Sequence, residues 1–152
     1  MLFEAIYLPA FSKTKPSRDI IVHPDLILYW ENWGRAGDIA VVAEHTNDHR
    51  LLGCSWGRLF NSNRHGYGYI SESIPELSVA VASGFINMGI GTKLIRGIHA
   101  EYVHNGFNII SLSVNKENPG VRLYLRERFQ TFKESANDYV MFCDLDQSEM
   151  TK

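Results

Sequence analysis

Residues 76–104 change period across a bare pair of glycines. Glu76-Leu77-Ser78-Val79-Ala80-Val81 is short and β-branched, as a strand is. After Gly89-Ile90-Gly91 the apolar residues Leu94, Ile95, Ile98 and Tyr102 fall on one helical stripe, which stops at Asn105-Gly106, a good helix-ending pair. A strand that enters a helix through Gly-x-Gly has two explanations. Free N–H groups at a helix start, added to the positive end of its dipole, seat an anion, and glycine lets that anion touch the backbone. Alternatively, the glycines make a tight turn that brings helix and sheet close together. Neither named phosphate loop applies. A Walker loop needs Lys directly after its last glycine, but Gly84 to Gly89 is followed by Ile90; a dinucleotide fingerprint needs a third glycine where Leu94 stands.

The rest of the chain fills in around this unit. Asn108 to Val114 reads as a strand, its β-branched content and short length outweighing a helix. Asn118-Pro119 opens a short second helix, because Asn caps well and Pro suits the first helical position; Val121, Tyr124 and Leu125 share a face of it. Phe129 to Phe132 and Tyr139 to Leu145 supply two last strands, joined by a turn-prone stretch from Glu134 to Asp138. Upstream, within Asp19 to Gly37, Pro24 is followed by Leu26, Ile27, Tyr29, Trp30 and Trp33 at helical spacing. Strands are expected over Asp38–His45, Leu51–Leu59 and Gly66–Ser71. These elements predict a mixed α/β (α+β) sheet.

Length and composition bound the partners. At 152 residues the chain is about one domain long, and a domain of that size buries roughly 70% of the surface its unfolded chain exposes. No repeat, low-complexity tract or linker divides it, so a single domain over 1–152 is expected. Fifteen basic residues stand against 17 acidic ones, and a net charge of −2 offers no one-signed field to nucleic acid or an anionic membrane. Cys54 and Cys143 lie far apart, without CxxC or disulfide-framework spacing, which suits a reduced, cytoplasmic protein. The apolar start MLFEAIYLPAF carries Glu4 and lacks the basic lead and cleavage site of a signal peptide. The longest uncharged run, between Glu76 and Lys93, is too short and too polar to span a bilayer.

Two stretches together resemble the signatures of the GNAT N-acetyltransferase family. The run from Ser111 to Phe129 is similar to the second signature: a strand ending in a valine, an Asn, and a helix carrying Leu123-Tyr124 with Phe129 five residues after the tyrosine. The run from Val79 to Leu94 is similar to the first, a strand, a loop and Gly-x-Gly opening a helix. The motifs stand in the family's order and spacing, and the likeness extends roughly over residues 38–145. It implies an acyl-coenzyme A N-acyltransferase fold, a single mixed, mostly antiparallel sheet flanked by helices. It also implies acetyl-coenzyme A (acetyl-CoA) as cosubstrate; no metal is expected, since no ligand motif stands in the sequence.

Carried over by position, Val79, Ala80 and Val81 would face the pantetheine arm, which pairs with that strand. Asn87, Met88, Gly89, Ile90, Gly91 and Thr92 would offer N–H groups to the pyrophosphate. Asn118 either caps its helix only or also touches the coenzyme. An amine has a pKa of about 10 and must lose a proton before it attacks, so a carboxylate near the acceptor is useful as a base. Glu76 is the candidate; its other reading is a strand-edge charge facing solvent. Tyr124 matches the family's acid, which gives the departing thiolate a proton; its other reading is plain core. The partner implied is an amine acceptor, a small molecule or a protein amine, with a homodimer left open.

Several positions depart from the family. Ile86 and Met88 stand where the loop usually carries Gln, Arg or another basic residue, and Ala82 to Thr92 holds no cation, leaving backbone N–H groups, the dipole and Lys93. Ser83 replaces a usual proline, and Arg128 a usual glycine, at a cost in helix-end comfort if a left-handed residue is needed there. The missing cations favour a second class, a catalytically weak or silent acyl-CoA-binding or protein-interaction module; Glu76, Asn118 and Tyr124 favour the enzyme. Arg122 and Arg126, one turn apart, suit a solvated face or a coenzyme phosphate. His45 and His49 sit in a polar turn without further ligand motif. Trp30, Trp33, Trp56 and Tyr67 read as core, or as the wall of an acceptor pocket.

Overall fold

The computed structural model describes residues 1–6, 14 and 16–146. Six strands lie in one sheet: β1 (Ile39–Glu44), β2 (Leu51–Arg58), β3 (Glu76–Val81), β4 (Ile109–Asn115), β5 (Gln130–Glu134) and β6 (Asp138–Asp144). Their order is β1-β2-β3-β4-β6-β5, and every neighbouring pair is antiparallel except β3 and β4. Four α-helices accompany them: α1 (Leu2–Ala5), α2 (Pro24–Ile27), α3 (Ile90–His104) and α4 (Gly120–Arg126). The mixed, mostly antiparallel sheet is the one the resemblance implied. No helix among the described residues is long and apolar enough to cross a membrane.

The predicted stripe on α3 makes the main core. Leu94, Ile95, Ile98 and Tyr102 are buried, and Ile95, Ile98 and Tyr102 pack with Leu77, Ile110, Leu112, Phe129 and Met141. Alternation along β2 separates the two faces. A Cβ at Gly53 would stand 2.8 Å from the Leu94 side chain, and one at Gly57 2.4 Å from the Tyr102 oxygen, so α3 lies directly against these bare positions. Cys54 and Trp56 therefore point the other way, where they meet Ala80 and, from α1, Leu2 and Ala5. Leu28, Tyr29 and Phe60 form a further small cluster.

Two expected elements are replaced by something else. The helix expected within Asp19 to Gly37 breaks into a 3₁₀ turn at Arg18–Val22, the single turn of α2, and irregular chain with positive φ at Asn32 and Gly34. The cause is Arg58. Its Nη1 donates to the Leu28 and Glu31 carbonyls at 2.7 and 2.9 Å, giving them partners that a continuing helix would otherwise supply. The strand expected over Gly66–Ser71 does not form. The N–H groups of Tyr67 and Gly68 donate to the Tyr29 hydroxyl and the Glu76 carboxylate, both at 2.9 Å, instead of to a neighbouring strand. Elsewhere the bounds move by a residue or two, and Phe129 turns out to be buried core just ahead of β5. Of MLFEAIYLPAF, the part after Ile6 lies outside the described residues.

Candidate active site

The sheet opens at its one parallel pair. β3 pairs with β2 along its whole length, from Glu76↔Arg58 to Val81↔Gly53. Against β4 it pairs only at Glu76↔Ser111, beside a Ser111 N–H to Pro75 carbonyl bond of 2.9 Å. Beyond that point the two strands part, while on its other edge β4 pairs with β6 along its whole length, so among the described residues the β3 edge from Ser78 to Val81 has no strand partner on this side. A cavity of about 320 Å3 lies there, and its wall includes Glu76, Val79, Tyr67, Asn118, Tyr124 and Asp138. The fold thus brings together four of the residues expected to carry catalysis or hold the coenzyme, Glu76, Val79, Asn118 and Tyr124, and with them Tyr67.

Glu76 is only 3% exposed, which removes the reading of a solvent-facing charge. Its Oε1 accepts from the Tyr29 hydroxyl at 2.6 Å and from the Gly68 N–H at 2.9 Å, while Oε2 is buried with no partner among the described residues. Burial raises its pKa from 4.5 to about 7, against the opposing pull of the Tyr29 bond, the Gly68 N–H and the nearby His65. A carboxyl so placed changes protonation near neutral pH, as a general base must.

Tyr124 stands on α4 with its ring edge against Phe129, centroids 5.6 Å apart. It is at once core and cavity wall. Burial pushes the phenol up to about 12, so the proton is present at neutral pH. Asn118 caps: its Oδ1 accepts from the Gly120 N–H at 2.8 Å at the entry to α4. Arg128 has φ of +70°, and Phe129 N–H reaches back to the Tyr124 carbonyl at 2.9 Å; the position does call for the left-handed residue that glycine usually supplies.

The two glycines of the loop do different work. Gly89 is the N-cap of α3 at φ +79°, with open space where a Cβ would be. Gly91 faces α4, where a Cβ would lie 3.0 Å from Leu123 Cδ2. Close packing thus accounts for Gly91, while Gly89 leaves its backbone bare. No side chain caps α3, and the N–H groups of Ile90, Gly91 and Thr92 donate to no described residue. Asn87 also has positive φ, +63°, and Ile86 and Met88 are 58% and 64% exposed. Of the pantetheine candidates, Val79 lines the cavity, Ala80 packs on the opposite face with Cys54 and Trp56, and Val81 lies beside Ile86 and Ser83 at the far end of β3.

Sequence reasoning missed three contributors. Tyr29 read as one member of an apolar stripe, yet its hydroxyl holds Glu76. The only local signal was that a buried tyrosine needs a partner for its O–H. Gly68 looked like part of a strand. Arg50, from the β1–β2 connection, carries its guanidinium to 5.7 Å over the Phe85 ring, a cation beside a loop that has none of its own; it also pairs with Asp48 at 2.7 Å. Tyr67 does line the cavity, whereas Trp56 is core and Trp30 and Trp33 are surface residues. His45 pairs with Asp48 and His49 with Glu44, and no group of three or more metal-binding side chains occurs among the described residues.

Comparison with known proteins agrees with this geometry. The model of the acetyltransferase (GNAT) family matches residues 3–129. No curated protein matches the sequence. Solved structures of similar fold include the PaiA N-acetyltransferase of Thermoplasma acidophilum in complex with coenzyme A, at 16% identity and a TM-score of 0.58; the match covers 71% of this chain and 61% of that one. YncA of Salmonella typhimurium, solved with its cofactor acetyl-CoA, matches at 20% identity and a TM-score of 0.59, over 72% of this chain and 66% of that one. The ribosomal-protein-alanine N-acetyltransferase of Brucella melitensis matches at 19% identity and 0.57, over 70% and 68%. This chain thus spans less than two thirds of the length of the first two.

Proposed function

The chain belongs to the acetyltransferase (GNAT) family, and from that premise we propose that it moves an acetyl group from acetyl-CoA to a primary amine by direct attack in a ternary complex. The observation that carries the reading is the cavity at the β3–β4 opening, whose wall holds a buried carboxyl near neutrality and a protonated phenol. The open β3 edge fits an extended arm with polar groups of its own, since Ser78 to Val81 have no strand on that side among the described residues. The free N–H groups of Ile90, Gly91 and Thr92, at the positive end of the 15-residue α3, fit the pyrophosphate. Asn87, Met88 and Gly89 belong to the same turn, and Asn118 serves chiefly as a cap.

In this scheme the acceptor enters as an ammonium and gives a proton to Glu76, directly or through water. The amine nitrogen attacks the thioester carbonyl, a C–N bond forms, the nitrogen gives its second proton to water, and the tetrahedral intermediate collapses with cleavage of the C–S bond. Tyr124 donates to the leaving sulfur. Its high pKa keeps the proton available at every working pH, and exchange with solvent resets both groups. The acceptor is a small-molecule or protein amine. Two buried, unpaired cysteines suit a reducing compartment such as the cytoplasm.

Calorimetry with acetyl-CoA tests the first requirement, with binding expected in the micromolar range or tighter; no heat at high micromolar ligand would end the enzyme reading. Release of free thiol in a panel of amines then identifies the acceptor. Tyr124→Phe should lower kcat by about 100-fold with the acetyl-CoA Kd little changed. An unaltered rate would clear Tyr124 of the acid role.

A further inference from the structure

The two oxygens of Glu76 are not equivalent. Oε1 is held by two donors, Tyr29 O–H at 2.6 Å and Gly68 N–H at 2.9 Å, and Oε2 by none among the described residues. The phenol is itself oriented: its oxygen accepts from the Tyr67 N–H at 2.9 Å, which leaves its proton for Glu76. The ring is locked edge-on against Phe60, centroids 5.6 Å apart, in the small cluster with Leu28. Space for this arrangement exists only because residue 66 is glycine. A Cβ there would stand 2.3 Å from the Tyr29 oxygen and 2.4 Å from Glu76 Oε2.

We infer that Tyr29 is the positioning residue of Glu76: together with the Gly68 N–H it fixes Oε1, so that Oε2 is the oxygen that takes the acceptor's proton. The inference rests on the proposed role of Glu76 as base. Tyr29 acts through the carboxylate it holds, from the turn that follows α2, 47 positions before Glu76 in sequence. Other groups around Glu76 leave this task to it. Arg58, directly opposite on β2, turns its guanidinium to Asp38. His65 lies close enough to favour the charged carboxylate, but its Nδ1 meets the Gly66 carbonyl at 2.9 Å and its ring stacks on Tyr69. Tyr67, Tyr124 and Asp138 stand on the cavity wall.

The Tyr29 bond stabilises the ionised carboxylate, so its loss must move Glu76 further up from about 7. Tyr29→Phe keeps the ring and deletes both hydrogen bonds. The acidic limb of the kcat/KM profile should move up by about one pH unit, and kcat/KM at pH 7 should fall about fivefold, with the acetyl-CoA Kd unchanged. A carbon NMR titration of the Glu76 carboxyl, which needs no turnover, should record the same upward shift. In a Glu76→Gln background the substitution should cost no further rate. A folded Tyr29→Phe protein whose pH profile and carboxyl titration stay in place would overturn the inference, as would an equal loss of rate in the Glu76→Gln background. Glu76→Gln with turnover intact would instead remove the base assignment itself, and the inference with it. If Tyr29→Phe fails to fold, Gly66→Ala displaces the same contact with the phenol intact and should move the titration in the same direction; no movement would count against the inference.

Discussion

Arg58 and Asp38 have side chains only 1% exposed and lie 2.7 Å apart, with two parallel bonds from Nε and Nη2 to the two carboxylate oxygens. Burial alone would raise the Asp38 carboxyl, but Arg58 and the N–H groups of Gly34 and Arg35 outweigh it and hold it below its usual 3.8. The guanidinium is also the clasp on the Leu28 and Glu31 carbonyls, so the pair orders the stretch that carries Tyr29 to Glu76. Breaking a buried pair leaves one charge uncompensated, which costs about 3–5 kcal/mol, more than either partner contributes in an intact pair. Asp38→Asn should therefore lower the unfolding free energy by about 3 kcal/mol in urea titrations. A loss under about 1 kcal/mol would mean that water reaches the guanidinium. Nothing near Arg58 in sequence marks it as buried, because its partners lie 20 to 30 positions away. That Glu76 and Tyr124 share a cavity wall could be anticipated for the opposite reason: each sits inside a local motif whose spacing the chain preserves.

At the scale of elements, α3 was readable almost to the residue, since an apolar stripe of period 3.6 has one way to bury itself against a sheet. The segment around Gly66–Ser71 was not, because its N–H groups answer to Tyr29 and Glu76 and no periodicity records that. The entry to α3 lies between these cases: Gly89 and Gly91 look alike in sequence, and only the approach of Leu123 separates helix contact from open backbone. Met88 tests what the open side is for. Its side chain is 64% exposed in the turn before the uncapped N-terminus, where the dipole already favours an anion. Met88→Arg should tighten acetyl-CoA roughly two- to fivefold, the range of an exposed ion pair, and the gain should shrink as salt is raised from 0.05 to about 0.5 M. Calorimetry at two ionic strengths reads both effects, and an unchanged Kd at low salt would place the phosphates elsewhere.

For the whole molecule, two buried groups on separate elements set stability against each other. Glu76, raised from 4.5 to about 7 by burial, keeps its proton in the folded state where the unfolded chain has lost it, so stability falls as pH rises between those values. His99 on α3, packed near Phe129 with Nε2 unpartnered among the described residues, is lowered from 6.5 to about 4, again chiefly by burial. The unfolded chain binds that proton first, so stability rises with pH between about 4 and 6.5. The windows overlap from 4.5 to 6.5, each with a limiting slope of about 1.4 kcal/mol per pH unit and opposite sign. The intact protein should therefore show a flat profile there. Asp38, held low, adds its own loss only below 3.8. Removing either group should uncover the other: Glu76→Gln should gain stability with rising pH up to 6.5, and His99→Leu should lose it up to about 7. Melting temperatures of the three proteins across pH 4.5–6.5 decide this, and parallel profiles would mean that water reaches at least one of the two sites. The same measurement bears on catalysis, because a carboxyl that destabilises the fold by ionising is one that the fold retains at a cost, in the cavity where a base is needed.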